Sequence, residues 1–151
     1  MRIWVDADAC PTVIRDILFR ASKRTGIPLI LVANTPLRVP DTPLVEFIHV
    51  KDGFDVADAE IVKRVQVGDL VITADIPLAA QVVEKNCVAL DFRGTLTNSE
   101  NVGDRLATRN LMDTLRGAGV DTGGPPPLGP KDRQVFAGKL DSFLAHNRSP
   151  G

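Results

Sequence analysis

The sequence predicts an α/β fold in three layers, with a mostly parallel, doubly wound β-sheet between layers of helices. Short apolar segments alternate with longer segments of helical periodicity as far as residue 92. Glycines and prolines stand at many of the boundaries, and several of the apolar segments end in aspartate. The 151 residues predict one domain, 1–151, with an α/β core over 1–92 and a helical C-terminal extension over 93–151.

The first two strands of the core are predicted on either side of one helix. Residues 3–5 form the first strand segment, and Pro11 suits the first turn of the helix that follows. Apolar residues recur at helical spacing over 12–24, and Gly26 stands where a helix stop is expected. The uninterrupted apolar run 29–32 is short enough to be a buried parallel strand.

The rest of the core continues the same alternation. Residues 44–50 predict a third strand, nearer an edge because polar residues interrupt it. A helix is predicted over 55–67, a buried strand over 70–72, a helix over 77–84 and a last strand over 87–90. The carboxyl ends of parallel strands lie at one edge of a sheet, so the residues after these strands should face a common crevice.

The C-terminal extension has a different composition. Thr97-Asn98-Ser99-Glu100 matches a capping box, which predicts a helix from there to Arg116. Residues 117–130 hold five glycines and four prolines and are predicted to form a loop. A final helix is predicted over 131–146, with an apolar face of Phe136, Leu140, Phe143 and Leu144.

Charge and composition exclude some classes of protein. The net charge is −1, so no global field marks a nucleic-acid binder, although a local site stays open. Cys10 and Cys87 form no CxxC pair and imply no disulfide framework. No apolar run reaches membrane-spanning length, and the N-terminus leaves no room for the apolar region of a signal peptide. We therefore expect a cytoplasmic protein with no membrane partner.

Six aspartates follow the predicted strands, and we expect them to converge. Asp55 and Asp58 lie three residues apart at a helix start and share one face. Unneutralised, so many carboxylates would repel one another, and a divalent cation would remove that conflict. Oxygen ligands without a nearby His or Cys pattern suit Mg²⁺ or Mn²⁺. The candidate metal ligands are Asp6, Asp8, Asp55, Asp58, Asp75 and Asp91.

Such ions can activate water and stabilise the displacement at phosphorus in phosphate ester cleavage. Five of the six acids also have a structural interpretation, and for Asp6 it is that of a solvated acid in a loop. Asp8, Asp55 and Asp75 can cap the helices that follow them, and Asp58 can complement a helix dipole.

Five segments together resemble the bacterial YaiI/YqxD family, and the resemblance covers nearly the whole chain. They are Trp4-Val5-Asp6-Ala7-Asp8-Ala9-Cys10-Pro11, Gly53-Phe54-Asp55-Val56-Ala57-Asp58, Gly68-Asp69-Leu70-Val71-Ile72-Thr73-Ala74-Asp75-Ile76-Pro77-Leu78-Ala79, Arg93-Gly94 and Thr122-Gly123-Gly124-Pro125-Pro126. That family resembles the PIN-like and NYN nucleases, which have a parallel α/β sheet and an acidic cluster that binds Mg²⁺ or Mn²⁺. The resemblance therefore implies a PIN-like fold and, by analogy, a nuclease whose expected substrate is RNA rather than DNA.

The resemblance also implies roles for individual acids. Asp6 is similar to the PIN acid that closes the first strand, Asp58 to the helix acid and Asp75 to the acid of the Thr-x-Asp turn. These three are the predicted catalytic residues, and Asp91 is similar to the trailing fourth acid. The sequence departs from ordinary PIN domains by having Asp8 beside Asp6, Asp55 beside Asp58 and the long Gly/Pro loop.

Basic residues of the C-terminal extension are candidates for holding a phosphate backbone. Arg105, Arg109 and Arg116 recur roughly on one helix face. The predicted nucleic-acid-binding residues are Arg93, Arg105, Arg109, Lys131 and Arg133. A solvated helix face is the alternative interpretation, because Asp104 and Asp113 accompany the arginines.

Two other functions stay open on the sequence. Asp6-Ala7-Asp8 after a strand also resembles the opening motif of haloacid-dehalogenase-like phosphatases, in which Asp6 would be the nucleophile and Thr73 the strand-end hydroxyl. No convincing paired-acid motif follows on a later strand, which counts against this function. The third possibility is a non-catalytic module that binds RNA through the basic helix or a protein through the Gly/Pro loop.

Overall fold

The computed structural model describes residues 1–53, 55–123 and 126–147, and within these ranges it confirms the predicted α/β fold. The strands are β1 (Ile3–Asp6), β2 (Leu29–Ala33), β3 (Val45–His49), β4 (Leu70–Ile72), β5 (Val88–Leu90) and β6 (Leu96–Thr97). The helices are α1 (Thr12–Thr25), α2 (Val56–Arg64), α3 (Ile76–Glu84), α4 (Val102–Gly117) and α5 (Pro130–Asn147).

The strands form one sheet in the order β3-β2-β1-β4-β5-β6, and all neighbours are parallel except β5 and β6. β3 lies at an edge of the sheet, as its polar residues predicted. The register sets Val5 of β1 between Leu31 of β2 and Ile72 of β4. β1 and β4 therefore lie side by side at the centre, with their carboxyl ends together.

Helices cover both faces of the sheet. On one face, Ile3 and Val5 join a core that includes Ile14 of α1 and Phe136 of α5. On the other face, Trp4 packs in a second core with residues of α2 and α3. α4 packs against α3. This alternation along β1 follows from the two-residue period of a strand, and it produces the three layers.

Two predicted boundaries are corrected by the structure. α2 ends at Arg64 rather than at Val67, because the buried carboxylate of Asp69 accepts the N–H of Gln66 and holds residues 66–69 in a turn. α4 begins at Val102 rather than at the predicted capping box. Thr97 pairs with Ala89 in the antiparallel strand β6, which was not predicted from the sequence.

Local side-chain hydrogen bonds explain the late start of α4. The Asn98 side chain accepts the N–H groups of Glu100 and Asn101, and the Asn101 side chain accepts the N–H of Asn98. These bonds satisfy the backbone N–H groups of residues 98, 100 and 101 in a turn ahead of the helix. The predicted Gly/Pro loop has neither helix nor strand over 118–123 and 126–129, and its residues 124 and 125 lie outside the described ranges.

None of the helices in the described part of the chain combines the length and apolar character needed to cross a membrane.

Candidate functional site

The order of the strands creates a crevice between the carboxyl ends of β1 and β4. From β1 the chain passes to β2, which pairs with one edge of β1. It later returns to β4, which pairs with the other edge of β1. In open α/β sheets this reversal of direction leaves a gap above the strand ends, and ligands bind there. Asp6 is the last residue of β1, and the turn that holds Asp75 follows β4.

Hydrogen bonds join the ends of β1 and β4 across this crevice. The hydroxyl of Thr73 donates to Oδ2 of Asp6 at 3.1 Å and accepts the N–H of Asp75 at 3.0 Å. Oδ1 of Asp75 accepts the N–H of Leu78 at 3.0 Å and caps α3. Asp75 is thus a helix cap, as its structural interpretation predicted, and it also lies next to Asp6.

The start of α2 adds two further acids to the crevice. The carboxyl group of Asp58 lies close enough to that of Asp75 for the two to share a hydrogen bond when one of them is protonated. Asp55 occupies the N-cap position of α2 but makes no side-chain capping bond, and its backbone has the left-handed φ of 60°. Non-glycine residues in that conformation are uncommon and occur more often than average at functional sites.

The mutual repulsion of these acids is reflected in their pKa values. Burial raises the pKa of Asp6, the hydrogen bond from Thr73 opposes that rise, and the charges of Asp75 and Asp8 add to it. Burial, followed by the charges of Asp6, Asp75 and Asp55 and the hydrogen bond with Asp75, raises the pKa of Asp58 from its ordinary 3.8 to about 7. A cation in the crevice would relieve this repulsion.

Replacing Asp58 with Asn will raise the melting temperature of the metal-free protein by a few degrees at pH 8 and by much less at pH 4. Because the pKa of Asp58 is about 7 in the folded chain and lower in the unfolded chain, the folded chain binds the extra proton. Stability therefore falls as pH rises between these two values, and it stays low above pH 7, where Asp58 is charged. Asn is neutral throughout.

Thermal unfolding in EDTA at both pH values measures this effect. Asp52→Asn, which removes an exposed loop carboxylate, is the matched control and should show no such difference between pH 8 and pH 4. An equal effect of Asp58→Asn at both pH values would contradict this prediction. It would mean that the charge of Asp58 does not destabilise the folded chain.

Three adjoining cavities form a groove along these residues. The acidic cavity, about 360 Å³, is lined by Asp55, Asp58 and Asp75. The central cavity, about 340 Å³, is lined by Asp6 and Asp75. The α4 cavity, about 320 Å³, is lined by polar and charged residues of α4. Arg109 lines all three, so we call them together the Arg109 groove.

A larger cavity of about 480 Å³ lies between α1 and the segment that leads into β3, and none of the six predicted acids lines it. Size alone would have selected this cavity. The crevice at the strand reversal is the better candidate because the perturbed acids line it.

Two predicted metal ligands have other hydrogen-bond partners in the structure. The Asp8 carboxylate accepts the N–H groups of Asn34 and Thr35 and fastens the end of β2 to the turn after β1. Oδ1 of Asp91 accepts the N–H groups of Arg93 and Thr95 in a tight turn. Neither acid lines the acidic or the central cavity.

The five predicted nucleic-acid-binding residues are divided between different parts of the surface. Arg105 and Arg109 line the α4 cavity. Arg93 instead donates to Asp132 at 3.0 Å and to the carbonyl of Pro126. Lys131 and Arg133 belong to α5, which packs with α1 on the opposite face of the sheet from α2 and α3.

Asn101 and Thr108 were not predicted as site residues from the sequence, but they line the α4 cavity beside the two arginines. A signal for them was present, since Asn101, Arg105 and Thr108 follow one another at intervals of four and three residues and share a helix face. Cys10 also lies close to Asp6. Burial raises the pKa of its thiol to about 12, so it stays protonated near neutral pH and is a poor nucleophile.

Among the described residues, no group of three or more His, Cys, Asp or Glu side chains is arranged to hold a metal ion as it stands. Asp58 and Asp75 lie close enough for a hydrogen bond between their carboxyl groups when one is protonated, and Asp6 lies within range of their charges.

Comparison with known proteins identifies close relatives. Residues 4–146 match a family model described as "Uncharacterized BCR, YaiI/YqxD family". A UPF0178 protein of Thioalkalivibrio sulfidiphilus is 61% identical over 145 residues, which is 96% of this chain and 99% of the relative. A UPF0178 protein of Halorhodospira halophila is 58% identical over the full length of both chains. A UPF0178 protein of Alkalilimnicola ehrlichii is 59% identical over 98% of this chain and 100% of its own.

Proposed function

The chain belongs to the YaiI/YqxD family, and from that premise we propose that it is a nuclease that requires Mg²⁺ or Mn²⁺ and cleaves RNA. The observation that carries the proposal is the meeting of Asp6, Asp58 and Asp75 at the reversal point of the sheet. These acids come from three separate segments, and capping alone does not require them to meet. RNA is preferred to DNA because of the resemblance to PIN-like nucleases.

The donor chemistry of the site fits a hard divalent cation. Mg²⁺ usually keeps several of its waters and is bound through one or two carboxylates together with substrate phosphates. A pair such as Asp58 and Asp75 meets that need, with Asp6 as a further ligand directly or through water. When bound, the ion would activate water and neutralise charge on the phosphoryl oxygens.

The residues of the chain supply position and proton transfer. Thr73 fixes the Asp6 carboxylate by its hydrogen bond, and Asp75 is fixed by its capping bond to Leu78. In the proposed reaction the water oxygen bonds to phosphorus, and the bond from phosphorus to the leaving sugar oxygen breaks. One proton of the water passes to a carboxylate of the cluster, and the leaving oxygen takes up a proton from solvent.

The contacts of Asp8 argue against the alternative function of a haloacid-dehalogenase-like phosphatase. In Asp6-Ala7-Asp8, the motif that suggests this alternative, two backbone N–H groups already occupy the Asp8 carboxylate. A non-catalytic RNA-binding module does not require acids with raised pKa values, whereas such acids are concentrated at catalytic sites.

Incubation of the purified chain with a labelled RNA oligonucleotide will test the proposal. We expect cleavage that depends on added Mn²⁺ or Mg²⁺ and that stops when EDTA is added. We also expect calorimetry to detect binding of Mn²⁺ to the protein alone. Tight RNA binding without metal binding or cleavage would support the non-catalytic module instead.

A further inference from the structure

We propose that α4 forms a second phosphate subsite in the Arg109 groove, where Arg105, Thr108 and Arg109 hold the phosphate next to the scissile one. This inference rests on the proposed function and defines its substrate class. The substrate is a polynucleotide with consecutive phosphodiesters, rather than an ester with a single phosphate.

The first support is the continuity of the groove. The central and α4 cavities share Ile76 at the start of α3, and the acidic and central cavities share Asp75 and Pro77. Arg109 borders all three. An RNA strand that places one phosphate at the acids can therefore run past the start of α3 and reach α4.

The second support is the change of charge along the groove. The acidic cavity has three carboxylates, Asp55, Asp58 and Asp75, against one cation, Arg109. The α4 cavity has two cations, Arg105 and Arg109, against the single carboxylate of Asp104. One end is suited to a cation-bound phosphate, and the other end can neutralise a phosphate directly.

The third support is the incomplete bonding of Arg105. Its Nε is buried and has no hydrogen-bond partner within the described residues. Its guanidinium lies 3.6 Å from Oδ2 of Asp91, which exceeds the usual length of a hydrogen bond. A buried donor without an acceptor is unfavourable, and a phosphate oxygen is a strong acceptor for a guanidinium.

Arg109 is also available to a ligand. Its guanidinium lies 3.1 Å from Asp113 one turn further along α4, and both side chains are nearly half exposed. Exposed ion pairs of this kind are weak, so a phosphate can compete with Asp113 for the guanidinium. The hydroxyl of Thr108 can add a neutral hydrogen bond at the same cavity, whereas the Asn101 side chain is already bonded to the N–H of Asn98 and the carbonyl of Leu96.

The test compares Arg105→Gln with Arg116→Gln, which removes the same charge from the same helix at a residue that lines none of the three cavities. The substrates are an RNA oligonucleotide and bis(p-nitrophenyl) phosphate, which has one phosphate. For Arg105→Gln we expect kcat/KM on RNA to fall about 10- to 100-fold, the effect of one charge-assisted hydrogen bond. Arg105→Gln should cleave the single-phosphate ester with the same kcat/KM as the unchanged chain. Arg116→Gln should leave kcat/KM near normal on both substrates.

Binding provides a readout that does not need catalysis. In EDTA, fluorescence anisotropy of the labelled oligonucleotide is measured over a range of salt concentrations. Arg105→Gln should lower the slope of log Kd against log salt by about 1, and Arg105→Gln with Arg109→Gln by about 2. If the unchanged chain cleaves neither substrate, the proposed function fails, and these slopes still decide whether the subsite exists.

The inference would be overturned if Arg105→Gln and Arg116→Gln lowered the salt slope equally, or if Arg105→Gln slowed the two substrates to the same extent. Circular dichroism checks that Arg105→Gln is folded, since its ion pair with Asp91 is lost. Should that variant fail to fold, Arg109→Gln replaces it in the salt-slope measurement alone, because Arg109 also lines the cavities of the acids.

Discussion

Asp6→Asn and Asp75→Asn will each lower the rate of metal-dependent RNA cleavage by at least about 100-fold. Loss of a residue that only supports a metal ligand typically costs 10- to 100-fold in affinity or activity, so loss of a ligand should reach at least the upper end. Asn keeps an oxygen that can accept the Thr73 hydroxyl at position 6, and it is a good N-cap residue at position 75. The fold should therefore survive, while the charge that binds the cation is lost.

Single-turnover cleavage of the RNA oligonucleotide in saturating Mn²⁺ measures the rate, and calorimetry measures the accompanying loss of Mn²⁺ affinity. Asp52→Asn is the matched control, since Asp52 is an exposed acid that lines neither acidic nor central cavity. Full cleavage by the double variant Asp6→Asn, Asp75→Asn would remove the basis for a nuclease at this crevice.

The largest loss of stability is expected at Asp69, away from the Arg109 groove. Asp69 is 3% exposed. Its carboxylate accepts the backbone N–H of Arg2 at 3.0 Å, the indole N–H of Trp4 at 2.9 Å and the backbone N–H of Gln66 at 3.0 Å. The Arg2 guanidinium lies 3.7 Å from the same carboxylate and above the Trp4 ring.

Asp69→Ala will lower the free energy of unfolding by about 3–5 kcal/mol, the usual cost of removing one partner from a buried charged network. Asp69→Asn should cost less, because its amide oxygen can still accept one or two of these bonds. Urea denaturation measures both, with Asp52→Ala as a surface control expected to stay within about 0.5 kcal/mol. A loss below about 1 kcal/mol for Asp69→Ala would mean that water replaces the carboxylate at no great cost.

The fold was predictable because periodicity and boundary residues agree along the core. The buried run 29–32 and the strand 70–72 can satisfy their backbone only in the interior of a sheet, and Gly26 ends α1 in the left-handed conformation that favours glycine. β6 was missed because two residues of strand carry no periodicity. The end of α2 was misplaced because it depends on the Asp69 side chain, which no local pattern reveals.

The site was predictable only to the extent that topology determines it. Asp6 and Asp75 had to meet, since both follow central parallel strands. The partners of Asp8 and Arg93 could not be inferred, because they come from chain segments 26 and 39 residues away. An aspartate at a turn bonds to whichever N–H groups the fold brings near, and only coordinates identify them.

β1 and β4 place the residues that stabilise the fold at one end and the acids of the candidate site at the other. Stability and activity, which often conflict in enzymes, are therefore separated in space. Their amino ends are fastened by the Asp69 network, and their carboxyl ends present the mutually repelling acids, about 10 Å away along β1. Substitutions that reinforce the anchored end should offset the electrostatic strain at the other end without altering its geometry. Laboratory evolution could therefore increase the thermal tolerance of this protein through the residues around Trp4 while leaving turnover intact.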